Sequence, residues 1–335
     1  MKDQSSLIRP RPLTKGDRVA IVAPAGAYDP VRLVQAATIL ESWGLLVEVP
    51  APAKPFRYLA ASDEERAQRL TEAFAREDIA AVLAVRGGYG TARLQGRFQA
   101  AAVRPKIFVG YSDLSILLWR LRAEAGLLCF HGPMAASDLP RLDPEQLERF
   151  RRFLFGEQGW WAGSNLVARA PGMATGRLVG GCLSVLATTL GTPYEVDTRG
   201  GVLFLEEVGE SPYRIDRLLT QLLHARKLEG VSAVVLGTFH GCGSEDDADL
   251  VMDIFDEILA PLGIPVLSGF DAGHQSGGAV LPMGCQVRVS ADARSIELLE
   301  PVLGGRATAA PVMTAGQRDA ARMVAAALRR GPAAR

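Results

Sequence analysis

The run Ile79-Ala80-Ala81-Val82-Leu83-Ala84-Val85 is apolar at every position. A strand with one face in water alternates polar and apolar side chains. An unbroken run reads instead as a strand covered on both faces, the usual situation in a parallel sheet between helical layers. The flanking chain supplies the rest of such a sheet. Residues 18–23 read as a first strand ended by Pro24-Ala25-Gly26. Asp29-Pro30 then gives an N-cap and a proline at the first helical position. Leu33, Val34, Ala37 and Leu40 keep helical period as far as Gly44. Residues 45–49 read as a second strand, and Ser62-x-x-Glu65 is a capping box for a helix whose inner face is Ala67, Leu70 and Phe74. Residues 107–110, a helix over 114–124 and residues 127–130 continue the alternation. Strands alternating with helices predict an α/β fold with a parallel sheet.

The character changes further on. A charged helix over 144–155 leads into 156–175, read as a linker or crossover. Gly180-Gly181 is expected to open an apolar helix reaching Leu190. Residues 202–205 read as a strand ending at Glu206-Glu207, and Ser211-Pro212 caps a helix that buries Ile215, Leu218, Leu219, Leu222 and Leu223. Residues 233–237 and 265–269 are further strands, and 280–299 reads as a meander. A last helix over about 314–329 precedes a tail expected to be disordered. The expected division is an N-terminal subdomain 1–155, a linker 156–175, a mixed, β-rich C-terminal subdomain 176–311, and a helix and tail 312–335.

Charge narrows the function. Lys+Arg and Asp+Glu both number 37, so no basic face for nucleic acid is expected. No run is long enough to span a membrane, and the first residues lack the apolar core of a signal peptide. Cys129, Cys182, Cys242 and Cys285 have no CxxC spacing and read as reduced core residues of a cytoplasmic protein.

Several residues carry potential chemistry. In Lys106-Ile107-Phe108-Val109-Gly110-Tyr111-Ser112-Asp113-Leu114 an apolar strand meets a sharp turn and then a helix, with Ser112 on the turn. That is a variant of the nucleophile elbow, with one of the two usual glycines; a Ser N-cap is the alternative. Arg86-Gly87-Gly88-Tyr89-Gly90 follows the apolar strand 79–85, and in open α/β sheets sites lie at the carboxyl ends of strands. An amide of Gly87 or Gly88 with that of Asp113 could form an oxyanion hole. Glu206 and Glu207 point to opposite faces of their strand, so only one can serve a given site. The other would pair with Arg214 or Arg217. His274 lies in a polar glycine-rich loop that suits a general base. His131 follows a strand, His224 ends a helix, and His240 has no second ligand pair at metal spacing, so no metal is expected. Ser112, a glutamate at 206 or 207, and His274 make one nucleophile–acid–base set.

In series, Arg86-Gly87-Gly88-Tyr89-Gly90, Gly110-Tyr111-Ser112-Asp113, Phe130-His131-Gly132-Pro133, Leu203-Phe204-Leu205-Glu206-Glu207 with Pro212-Tyr213-Arg214, and Gly273-His274 before Leu281-Pro282-Met283-Gly284 resemble the LD-carboxypeptidases. These are the S66 serine peptidases, which include muramoyl-tetrapeptide carboxypeptidases and microcin C self-immunity peptidases. The resemblance implies a flavodoxin-like N-terminal half, a site between the halves, and Ser112, Glu206 and His274 as catalytic residues. It also implies Arg86, Tyr89, Tyr111 and His131 as substrate-binding candidates, no cofactor, a homodimer, and release of terminal D-Ala from a murein tetrapeptide during peptidoglycan recycling. Two other readings stay open: a hydrolase of peptidyl- or aminoacyl-nucleotides, with Trp160-Trp161 as a stacking candidate, and an idle binder of wall peptides. The chain has Gly180-Gly181-Cys182 where the family usually has Gly-Gly-Asn, and Asp271-Ala272 where a proline is usual.

Overall fold

The computed structural model describes residues 7–157, 165–244, 248–274 and 278–304. Trp160-Trp161 and the helix expected over 314–329 lie outside them. The first half contains Arg18–Val22 (β1), Pro30–Ser42 (α1), Leu46–Glu48 (β2), Asp63–Ala75 (α2), Ile79–Ala84 (β3), Ile107–Val109 (β4), Ser115–Arg120 (α3), Cys129–His131 (β5) and Pro144–Leu154 (α4). The second half contains Val167–Ala170 (β6), Met173–Cys182 (β7), Leu183–Thr188 (α5), Gly201–Val208 (β8), Pro212–His224 (α6), Ala233–His240 (β9), Ala248–Leu259 (α7), Val266–Ser268 (β10), Leu281–Met283 (β11), Gln286–Ser290 (β12) and Ser295–Leu298 (β13).

Two sheets result, and the fold is mixed α/β, as the sequence implies. The first runs β2-β1-β3-β4-β5-β11. Strands β1 to β5 are parallel, in the flavodoxin-like doubly wound order. Its central strands are buried on both faces. On one side Val19, Leu83 and Val109 pack with Leu33 and Leu40 of α1 and Phe150 of α4. On the other, Val82 and Phe108 join Leu70 and Phe74 of α2, in a core that continues into the second sheet. That sheet runs β13-β12-β7-β8-β9-β10-β6. Its centre, β7 to β10, is parallel, and its edges are antiparallel.

Several features differ from the sequence reading. The expected linker 156–175 contains β6 and the start of β7. On α6 Leu223 is exposed where the sequence predicts a buried position. Gly180 and Gly181 do not open a helix: β7 runs through them to Cys182, and α5 begins at Leu183. The reason is close packing. A Cβ on Gly180 would lie 1.9 Å from the Phe204 carbonyl oxygen, so only glycine lets β7 approach β8 here. Within the expected meander, Leu281–Met283 leaves the second sheet and pairs antiparallel with β5 of the first, Leu281 opposite His131. The sequence reading names no helix over Ala248–Leu259, yet Val251, Phe255 and Leu259 recur at helical spacing and are buried.

Two contacts fix the site's scaffold. Trp119 of α3 donates its Nε1–H to the Gly180 carbonyl at 2.9 Å, joining the helix after Ser112 to β7. Arg66 of α2, 2% exposed, holds the loops beneath the site. Its guanidinium donates to the Gly90 carbonyl at 3.0 Å, to the Pro24 carbonyl, and to Asp63 at 2.6 Å. Arg66→Met would leave these acceptors without a donor, and we expect a loss of about 3 kcal/mol in urea unfolding. A loss below about 1 kcal/mol would mean the loops stand without it.

Candidate active site

Ser112 sits just past the carboxyl end of β4 with φ +63°, in the left-handed region that non-glycine residues avoid. Such a conformation costs roughly 1–2 kcal/mol and persists only where neighbours over-determine it. They do so here. The Gly110 amide donates to Phe130 at 3.0 Å, and Leu114 closes the turn onto the Tyr111 carbonyl at 3.2 Å. Asp113 is buried. Its carboxylate accepts from the Thr91 amide at 2.9 Å, and its carbonyl accepts from the Thr91 hydroxyl at 2.5 Å. Burial pushes the Asp113 pKa up, against those donors. The elbow is therefore clamped to the turn that follows β3. Gly87 on that turn touches the serine: a Cβ there would meet Ser112 Cβ at 2.9 Å and Oγ at 3.0 Å.

The second sheet brings in Glu206 and His274. Strand β8 passes through Glu206 and Glu207 to Val208, so both carboxylates lie inside the strand. Glu206 is 0% exposed, and its Oε2 lies 2.7 Å from His274 Nδ1 and accepts from the His274 amide at 3.1 Å. Glu207, on the other face, accepts from the Ser184 amide at 2.7 Å and from Cys182 Sγ at 3.4 Å. Neither glutamate pairs with Arg214, which bonds Glu210 at 3.3 Å. Geometry thus separates two carboxylates that the sequence leaves equivalent. It also shows where Cys182 stands: against Glu207, at the start of α5.

Electrostatics follow from this packing. Burial opposes ionisation of Glu206, but His131 and His274 outweigh it and push its pKa down to about 2. For His274, burial lowers the pKa; the bond and charge of Glu206 more than offset that, and the net shift is upward from 6.5.

Ser112 and His274 line one cavity of about 340 Å³, with Arg86, Gly87, Gly88, Tyr111 and His131. All come from the carboxyl ends of parallel strands or the loops after them, apart from the β11 side, where Gly278 and Ala279 close the wall. Tyr111 packs between the two imidazoles, its ring centroid 4.9 Å from His274 and 5.3 Å from His131. Its hydroxyl donates to Asp138 at 3.1 Å. Burial and the Asp138 charge hold that phenol well above its usual pKa. Tyr89 is not among the lining residues; the residue is 46% exposed, and its ring sits tilted against Tyr58 with centroids 5.9 Å apart. Asp113 backs the serine without lining the cavity. The sequence reading missed Asp138 and Arg141, both in the wall after β5. The strand-end rule that drew notice to the loop after β3 applies equally to the loop after β5. Among the described residues neither Arg86 nor Arg141 forms a salt bridge; Arg86 donates to the Gly87 and Ala27 carbonyls, each at 3.3 Å, and both arginines line the cavity with Asp138 in the same wall. Among the same residues no cluster of three or more His, Cys, Asp or Glu is placed to hold a metal ion, and no helix is long and apolar enough to cross a membrane.

Comparison with known proteins shows which family the chain resembles. The LD-carboxypeptidase N-terminal domain matches residues 19–132, and the LD-carboxypeptidase C-terminal domain matches residues 175–289. A probable murein peptide carboxypeptidase of Bacillus subtilis is 37% identical over 295 residues, covering 84% of this chain and 91% of its own. The crystal structure of muramoyltetrapeptide carboxypeptidase from Oxalobacter formigenes superimposes with a TM-score of 0.74 at 32% identity, covering 83% of this chain and 97% of that one. The structure of MccF in complex with glutamyl sulfamoyl guanosine gives 0.81 at 24% identity over 89% of this chain and all of its own, a likeness of fold. With both domains matched in order over more than half its length, the chain belongs to the LD-carboxypeptidase family of S66 serine peptidases and is a carboxypeptidase hydrolase.

Proposed function

We infer that the protein removes the terminal D-Ala from a murein tetrapeptide by cutting its L,D-peptide bond, with Ser112 as nucleophile, His274 as general base and Glu206 as orienting acid. The observation that carries this is the 2.7 Å Glu206–His274 bond, with the same imidazole facing the cavity that Ser112 enters from a strained turn. His274 takes the serine proton on its free nitrogen while Nδ1–H stays on Glu206. Ser112 attacks the carbonyl, and the developing oxyanion meets the amides of Asp113 and of Gly87 or Gly88. D-Ala leaves with the proton from His274, and water hydrolyses the acyl-enzyme.

The substrate assignment has two supports. Relatives of this chain are named as murein peptide and muramoyltetrapeptide carboxypeptidases. Arg86 and Arg141 line the cavity without a salt-bridge partner among the described residues, which suits a peptide bearing free carboxylates. We place the enzyme in the cytoplasm, acting on imported wall peptides, as a homodimer without cofactor. A second reading is hydrolysis of aminoacyl- or peptidyl-nucleotides, and the fold likeness to MccF favours including such a substrate in the assay.

Purified enzyme and Ser112→Ala are incubated with the tetrapeptide and with an aminoacyl nucleotide, and products are read by mass spectrometry. The expected result is D-Ala release by the wild type, lowered at least ~10⁴-fold in the variant. Turnover of the nucleotide alone would transfer the function to the second reading. Because His274 must be neutral to act as base and its pKa is raised, kcat/KM should climb with pH through a value above 6.5. A plateau already reached at pH 5 would exclude His274 as the base. Gly87→Ala presses a Cβ against Ser112 in a turn with no slack, and we expect kcat to fall roughly 100-fold with a loss of about 1–3 kcal/mol in urea stability. Wild-type kcat in that variant would remove Gly87 from the oxyanion site.

A further inference from the structure

Glu206 has two oxygens, and the base accounts for one. Oε2 carries both bonds from His274, while Oε1 is fully buried with no hydrogen-bond partner. An ionised oxygen in that position is costly unless a donor faces it. One side chain does. His131 of β5 is 1% exposed, neither of its ring nitrogens has a partner, and its Nε2 lies 3.7 Å from Glu206 Oε1. That separation exceeds a hydrogen bond and closes to the usual ~2.9 Å by a small ring movement.

We propose that His131 is a positioning residue that holds Glu206 through an Nε2–H on Oε1, so that one carboxylate is gripped by two imidazoles from two different sheets. The reasoning is chemical. A carboxylate only accepts, so the nitrogen facing it must carry the proton. Phe204 and Tyr111 pack on the His131 ring at 5.2 and 5.3 Å and fix its plane. β11 runs beside β5, with Leu281 opposite His131. The arrangement has two consequences. The carboxylate cannot rotate away from His274. It also shares its charge between two donors, which restrains how strongly it raises the basicity of His274. His131 thereby keeps the base close enough to neutrality to work, and it ties the alignment of the acid–base pair to the sheet that carries Ser112.

The other ionisable groups around the pair come from every packed element. Glu207 of β8 and Asp138 of the turn after β5 add to the negative field at His274. The Cys182 thiol of β7 is held protonated by burial and by both glutamates. Tyr111 is a neutral phenol bonded to Asp138, with Arg141 beyond it. None of these donates to Oε1.

The inference rests on the catalytic reading above, and its test is separable from it because it needs no turnover. Ring-labelled histidine is followed by NMR in the wild type, His131→Phe and His131→Gln, with His274→Gln for assignment. Removing the donor should raise the His274 pKa by roughly 0.5–1 unit, and the glutamine amide should return most of that shift. The acidic limb of kcat/KM should move by the same amount on whichever substrate is turned over. Should His131→Phe fail to fold, the wild type still answers, since nitrogen shifts report which ring nitrogen of His131 carries the proton. A proton on Nε2 with the shift and its recovery supports the proposal. A lone pair on Nε2, or an unmoved His274 titration in folded His131→Phe, overturns it.

Discussion

Glu206 is a carboxylate with no exposed surface, placed inside a strand of the second sheet. A buried charge of this kind is tolerated only where donors surround it. Those donors set the relative positions of much of the chain. The loop after β10 must bend back so that the His274 amide and ring both reach Oε2. Strand β11 must join the first sheet, since it follows that loop and pairs with β5. Charge thus reaches from the second sheet to the first at a point beside Ser112, and the cavity forms where the two meet.

The Ser112 side is organised by backbone geometry instead. The strain at Ser112 is balanced by turns on both sides and by Asp113, whose carboxylate and carbonyl both engage Thr91. Arg66 and Trp119 then carry that local order outward, one to the loops beneath the site and one to β7. The Glu206–His274 side can be precise because its charge is buried, and the serine side because its turn has no slack. Neither feature works without the packing between the sheets, where Gly180 removes the side chain that would hold β7 away from β8.

What could be read from the sequence follows the range of the interactions involved. The alternation of β1 to β5 with helices, the elbow at Ser112 and the N-cap at Ser62 are local patterns, and they carry their own signals. The Ser62 side chain accepts from the Glu65 amide, while the Glu65 carboxylate bonds Arg69 instead of closing the expected box. Strand periodicity says that Glu206 and Glu207 face opposite ways, yet it has no phase until the sheet's two faces are known. The 2.7 Å contact with His274 supplies that phase. Gly180-Gly181 looks like a helix opening because positive-φ glycines normally end elements; here they lie inside β7. The pairing of Leu281–Met283 with β5 joins segments 150 residues apart, which no window detects. Asp138 and Arg141 enter the cavity through a turn after β5 that has no motif. Family resemblance pointed to Ser112, Glu206 and His274, which the fold brings to one region, while the imidazole of His131 facing Glu206 became visible only as a set of buried atoms without partners.

The central claim is that Ser112 carries the acyl group between bond cleavage and hydrolysis. Enzyme quenched in acid during turnover of a murein tetrapeptide, digested and sequenced by mass spectrometry, tests it directly. The account predicts a peptide containing Ser112 heavier by the tripeptide acyl group, with the adduct absent once substrate is exhausted. An adduct on another residue, or none while D-Ala is being released at steady state with deacylation shown to be slow, would contradict it.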